Sequence, residues 1–256
     1  MPSPQQLSNG KVETIGLLIQ HGADVTAQDG SRQTPLHLVS SMGRADIVQL
    51  LIQQGADVNA QDKSRKTPLH LASSERSAET VQLLIMHGAD VTAEDDTHST
   101  PLHLASSTGS AEIMRLLIQH GAGVNAQDKS HKAPLHLASS ECSTEFVQLL
   151  IQHGADVTAE DDTHSTPLHL ASSSGSADTV KLLVLHGADV NARDGSHDTP
   201  LHLASSQWNS QADVVGVLLD HGADADAEDG RGYTAFQVAS SREIGQLLAD
   251  HHARGN

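Results

Sequence analysis

Six times the chain restarts at an interval of 33 residues, at Thr34, Thr67, Thr100, Ala133, Thr166 and Thr199, and each restart is followed by Pro-Leu-His. A fixed period of this length is the mark of an array of repeats, in which each unit touches only its neighbours and none closes a core alone. The histidines in register, His37, His70, His103, His136, His169 and His202, are therefore structural candidates, since no active site is built six times over. A seventh unit begins at Thr234 but reads Thr-Ala-Phe-Gln, and a partial unit running from Leu17 to Asp24 precedes the first restart. These divergent ends are expected to be caps.

One unit shows the local logic. Thr34 suits a helix N-cap and Pro35 the first helical position, where a missing amide proton costs nothing. A short helix is expected through Leu36 to Ser40, with Gly43 ending it. A second follows through Ile47, Val48, Leu50, Leu51 and Ile52 and is stopped by Gly55. Leu50, Leu83, Leu116, Leu149 and Leu182 are expected on its buried face. Helices of roughly 8 to 10 residues fall short of the ~12 to 15 that stand alone in water, so stacking is obligatory.

The order of an aspartate, a short finger, TPLHLA, a leucine-rich helix and then Gly-Ala-Asp-Val-Asn-Ala resembles the ankyrin repeat, whose 33-residue period and T-P-L-H-x-A signature it shares. The resemblance implies an all-α solenoid of stacked helix-turn-helix units with projecting hairpin fingers. It also implies a concave groove, formed by fingers and first helices, that binds other proteins, and TPLH histidines that hydrogen-bond between adjacent repeats. On this reading residues 1–10 are a polar tail and 11–251 one array, with 11–33 a partial repeat. The full repeats are 34–66, 67–99, 100–132, 133–165, 166–198 and 199–233, the last carrying a two-residue insertion. Residues 234–251 cap the array and 252–256 form a tail.

Residues 67–99 and 133–165 differ at only five positions although they lie two repeats apart, which points to duplication of a two-repeat block or to design from one. The fingers alternate in charge accordingly: Lys63, Arg65 and Lys66, and Lys129 and Lys132, against Asp95-Asp96 and Asp161-Asp162. The whole chain carries a formal charge of −17, which disfavours nucleic acid and anionic membranes as partners. No run of 18 apolar residues occurs, and the lone Cys142 permits no intramolecular disulfide. A soluble, intracellular and cytoplasmic protein is expected.

Departures from the family pattern nominate the binding residues. Two positions before each threonine, where ankyrin fingers commonly carry glycine, stand Arg32, Arg65, His98, His131, His164 and His197; only Gly232 keeps the usual residue. Either the finger turn is shifted, leaving exposed side chains, or these residues form a row of donors toward an acidic or polar partner, with histidine adding pH sensitivity. Trp208, the only tryptophan, sits in the insertion, and Tyr233, the only tyrosine, precedes Thr234. In an aromatic-poor chain the two are candidates for a docking anchor, the alternative being that Trp208 covers the end of the core.

The 18 histidines raise metal binding, but stacked helices stand roughly 8 to 10 Å apart, too far for equivalent histidines to share one zinc ion. Six of them, His21, His87, His120, His153, His186 and His221, end second helices and suit the last carbonyls there. No phosphate loop, nucleophile elbow, H-E-x-x-H or EF-hand pattern occurs. The expectation is a monomeric, non-enzymatic protein-binding module without cofactor or metal, in which end-to-end stacking is open. The alternative is a spacer, or a consensus-like engineered scaffold without a native ligand.

Overall fold

A computed structural model describes residues 16–19, 21–108, 110–207 and 211–255, and the chain divides into two compact units, Met1–Gly123 and Val124–Asn256. The first unit opens with a helical segment at 16–19, followed by α1 (Pro35–Ser40), α2 (Ala45–Gln53), α3 (Pro68–Ser74), α4 (Ala78–Met86), α5 (Pro101–Thr108) and α6 (Ala111–Gln119). In the second unit come α7 (Pro134–Ser140), α8 (Thr144–Gln152), α9 (Pro167–Ser174), α10 (Ala177–Leu185), α11 (Pro200–Ser206), α12 (Ala212–Asp220) and α13 (Arg242–Gly255). Among the described residues no strand forms; an isolated bridge joins Glu228 and Thr234.

Within each unit a first helix packs on its own second helix and on the neighbouring first helix. In the first unit α1, α3 and α5 stack in one row and α2, α4 and α6 in another; in the second unit the rows are α7, α9 and α11, and α8, α10 and α12, with α13 packed on α12. The column of TPLH leucines, Leu36, Leu69, Leu102, Leu135, Leu168 and Leu201, is wholly buried. In the second helices the expected face is corrected by one residue. Leu51, Leu84, Leu117, Leu150 and Leu183 are 0–1% exposed, whereas Leu50, Leu83, Leu116 and Leu182 are half-buried; of the expected set only Leu149 is buried.

The expected helix ends form. Thr34 caps α1, its Oγ1 accepting from the His37 amide at 3.4 Å, and Pro35 occupies the first turn. Gly55 stands at φ +87°, a left-handed conformation that closes α2 without a Cβ penalty. Every second-helix histidine donates from Nδ1 to the carbonyl four residues back, as His87 does to Leu83 at 2.9 Å and His186 to Leu182 at 2.8 Å.

Candidate functional site

The fingers are built from one repeated loop. In the finger before Thr67 the amide of Asp62 donates to the Lys66 carbonyl, and Asp62 Oδ1 accepts from the amides of Ser64 at 2.8 Å and Lys66 at 3.0 Å. A short carboxylate thus satisfies the inside of a five-residue turn. Asp95 and Asp161 do the same. Burial works against their charge, but hydrogen bonds from the hydroxyl and amide of Thr97 or Thr163 and from the amide of Ser99 or Ser165 outweigh it and hold both carboxyls below their ordinary range.

Neighbouring fingers are joined edge to edge. The amide of Lys63 donates to the Ser31 carbonyl at 2.9 Å and that of Asp96 to Ser64 at 2.8 Å; in the second unit Asp162 donates to Ser130, Gly195 to Thr163 and Gly230 to Ser196. The first helix adds a bond beneath. His37 Nδ1 accepts from the Thr34 amide at 3.2 Å, which leaves the proton on Nε2, and Nε2 donates to the Lys66 carbonyl of the next repeat at 3.0 Å. His70, His136, His169 and His202 repeat the contact to the carbonyls of Ser99, Ser165, Asp198 and Tyr233. Burial pushes the pKa of His37, His70, His136 and His169 down, against the smaller opposing effect of the carbonyl each donates to. They are neutral tie-bars.

A second tie alternates with the two-repeat block. Asn59 Nδ2 donates to the Gly88 carbonyl at 3.0 Å while its Oδ1 accepts from the Asp90 amide at 2.8 Å; Asn125 and Asn191 bridge forward in the same way. Where threonine replaces asparagine, at Thr92 and Thr158, the hydroxyl turns inward to Asp90 or Asp156 of its own turn. The forward reach of asparagine is invisible in the sequence, because the groups it meets lie 29 to 33 residues away.

Against this scaffold the candidate binding residues take definite places. The finger turn is not shifted: Arg32, Arg65, His98, His131, His164 and His197 stand at φ between +57° and +63°, the left-handed conformation that Gly232 adopts at +81°. All six are exposed. Arg32, Arg65 and His98 lie on successive joined fingers of the first unit, and His131, His164 and His197 on successive joined fingers of the second. They are not equivalent. His164 Nδ1 is 2.8 Å from Glu160 and His98 Nδ1 is 3.4 Å from Glu94, so the acidic fingers hold their own histidines. Arg32, Arg65, His131 and His197 make no side-chain hydrogen bond or ion pair among the described residues.

Tyr233 is 47% exposed, with the Arg231 guanidinium 5.5 Å from its ring centroid. Arg231 is held in turn by Asp229 Oδ2 at 2.7 and 3.0 Å. The Tyr233 amide, followed by the Arg231 contacts, lowers the Asp229 pKa to about 2. Trp208 lies outside the described residues. The fingers at Gly195–Asp198 and Gly230–Arg231 border an open crevice. Among the described residues no group of three or more His, Cys, Asp or Glu side chains is placed to hold a metal ion, and no helix is long and apolar enough to cross a membrane.

A family model described as ankyrin repeats (3 copies) matches residues 6–95, 93–161, 124–194 and 168–256. Among solved structures, the crystal structure of the human ASB11 ankyrin repeat domain is similar to this chain, with a TM-score of 0.79 and 30% sequence identity over 86% of this chain and 98% of that chain. No curated protein matches the sequence. With the same finger, tie-bar and helix pair repeated in both units and the family model spanning nearly the whole sequence, the chain belongs to the ankyrin-repeat family.

Proposed function

We propose that this chain is a protein-binding module that grips an acidic or polar segment of a partner protein through its fingers and the groove beside the first helices, with no catalysis. Ankyrin repeats are typically protein-protein interaction modules. One observation carries the finer reading. Six residues with long side chains occupy left-handed backbone positions where glycine costs nothing, and all six present those side chains to solvent. Each such residue costs on the order of 1 kcal/mol. Side chains kept at that cost, on edges that alternate in charge, suit electrostatic selection of a partner and of its register. Tyr233, with Trp208 in the insertion of the same repeat, supplies an aromatic anchor. The single cysteine fits a cytoplasmic setting.

The test is affinity capture from a lysate of the source organism, comparing the parent with a variant in which all six finger residues are replaced by glycine. The variant should melt higher, since the strain is relieved, yet lose the partner. Retention of the partner by this variant at the parent's level would remove the fingers from the binding surface.

A further inference from the structure

Three successive fingers of the first unit offer solvent charges that are not of one sign. Asp29, Asp62 and Asp95 turn inward to the amides of their own loops, so the outward charge comes from the other finger residues. On the finger at 29–33 that is Arg32, on the finger at 62–66 it is Lys63, Arg65 and Lys66, and on the finger at 94–99 it is Glu94 and Asp96. All are exposed except Lys66, which is half-buried. Among the described residues no carboxylate pairs with these four cations, and Asp96 has no cationic partner, whereas Glu94 has His98 at 3.4 Å. The edge therefore reads positive, positive, negative.

Its pitch follows from its hydrogen bonds. Within a finger the Asp62 amide meets the Lys66 carbonyl; between fingers the Lys63 amide meets the Ser31 carbonyl at 2.9 Å and the Asp96 amide the Ser64 carbonyl at 2.8 Å. One finger to the next is thus two hydrogen-bonded backbone steps of about 4.8 Å, or about 10 Å in all. Arg32, Arg65 and His98 share a φ of 59–61°, so equivalent side chains leave the three fingers in the same sense. A polyproline-type segment advances about 3.1 Å per residue with three residues per turn, so every third side chain lies on one side at about 9 Å intervals and matches this edge. A β-strand covers the distance in as many residues but turns alternate side chains to opposite faces.

We infer that this edge selects a partner segment presenting acidic, acidic and basic side chains, in that order, at intervals of about 10 Å. The inference rests on the reading of the fingers as the binding edge and names the charge order that edge recognises. The net charge of −17 does not cancel the two acidic positions, because the Debye length at physiological ionic strength is about 8 Å and a segment on the fingertips feels chiefly the finger beneath it. The same net charge on both molecules disfavours a second copy as the occupant. The basic finger of the second unit is not a duplicate: His131 stands at the position of Arg65, in place of a permanently charged guanidinium.

Two dye-labelled peptides of identical composition, Glu-Pro-Pro-Glu-Pro-Pro-Lys and Glu-Pro-Pro-Lys-Pro-Pro-Glu, test this by fluorescence anisotropy at low salt. Neither binding direction gives the second peptide the required order. The parent should bind the first about five-fold more tightly, and the preference should shrink as salt is raised. A swap variant carries Lys63→Asp, Arg65→His, Lys66→Ser, Asp96→Lys, His98→Arg and Ser99→Lys, each new residue being the one that the parent holds 33 positions away on the neighbouring finger. Its fingers read positive, negative, positive, and its preference should invert to the second peptide. The parent's preference is read without any substitution and decides the matter if the swap variant loses helicity by circular dichroism. Equal affinity for the two peptides, binding of neither at low salt, or an unchanged preference in a folded swap variant overturns the charge order. So does a parent that dimerises under the same conditions, which would give the edge to a second copy. Capture with the six-glycine variant separates this from the reading beneath it: loss of the partner there together with equal peptide affinities removes the charge order alone, whereas retention of the partner removes the fingers themselves.

Discussion

Ser40, Ser139, Ser172 and Ser205 are buried on first helices with hydroxyls that meet no partner among the described residues, while Ser73 and Ser106 in the same column bond back to Leu69 and Leu102. A buried hydroxyl without a partner loses its hydration for nothing. Ser139→Ala and Ser172→Ala are therefore each expected to raise stability by about 1 kcal/mol in urea unfolding, whereas Ser73→Ala should be neutral or destabilising. The serine column was legible in the sequence but its consequence was not, because hydroxyl pairing depends on side-chain rotation about a helix whose environment only the neighbouring repeats define. The left-handed finger residues were half legible. A missing glycine flags the position; whether the loop shifts or bears the strain is decided by Asp62 and its equivalents, whose carboxylates hold the turn fixed.

At the scale of the helix, the second-helix pattern offers two adjacent leucines, and both satisfy a 3.6-residue period. Adjacent residues sit about 100° apart around the axis, so the choice of core residue depends on how the helix is rolled against its partner. That roll is tertiary information, which is why the sequence pointed at Leu182 and the fold buries Leu183. Leu183→Ala is expected to cost about 2 to 5 kcal/mol and Leu182→Ala markedly less, read from chemical unfolding midpoints. The start of α1 and the stop of α2, by contrast, were legible, because Thr34, Pro35 and Gly55 act through local backbone chemistry.

For the whole molecule, stability should depend on pH through the tie-bar histidines. Their ordinary pKa is 6.5, and burial lowers it in His37, His70, His136 and His169. Between the folded and unfolded values the unfolded chain binds more protons, so stability is present in full above 6.5 and is lost as pH falls below it toward the folded values. Melting temperature should therefore drop on acidification beginning near pH 6.5, well before Asp95, Asp161 and Asp229 protonate at lower pH. His70→Gln should blunt that drop. A flat melting temperature between pH 7 and 5 would mean the histidines are not tie-bars.

Binding through the fingers is most directly read by amide hydrogen exchange on the captured complex. Protection should appear at residues 62–66, 95–99, 128–132 and 161–165 and around Tyr233, with the second helices unchanged. Protection confined to the second helices, with the fingers exchanging as in the free protein, would contradict a finger-borne binding surface.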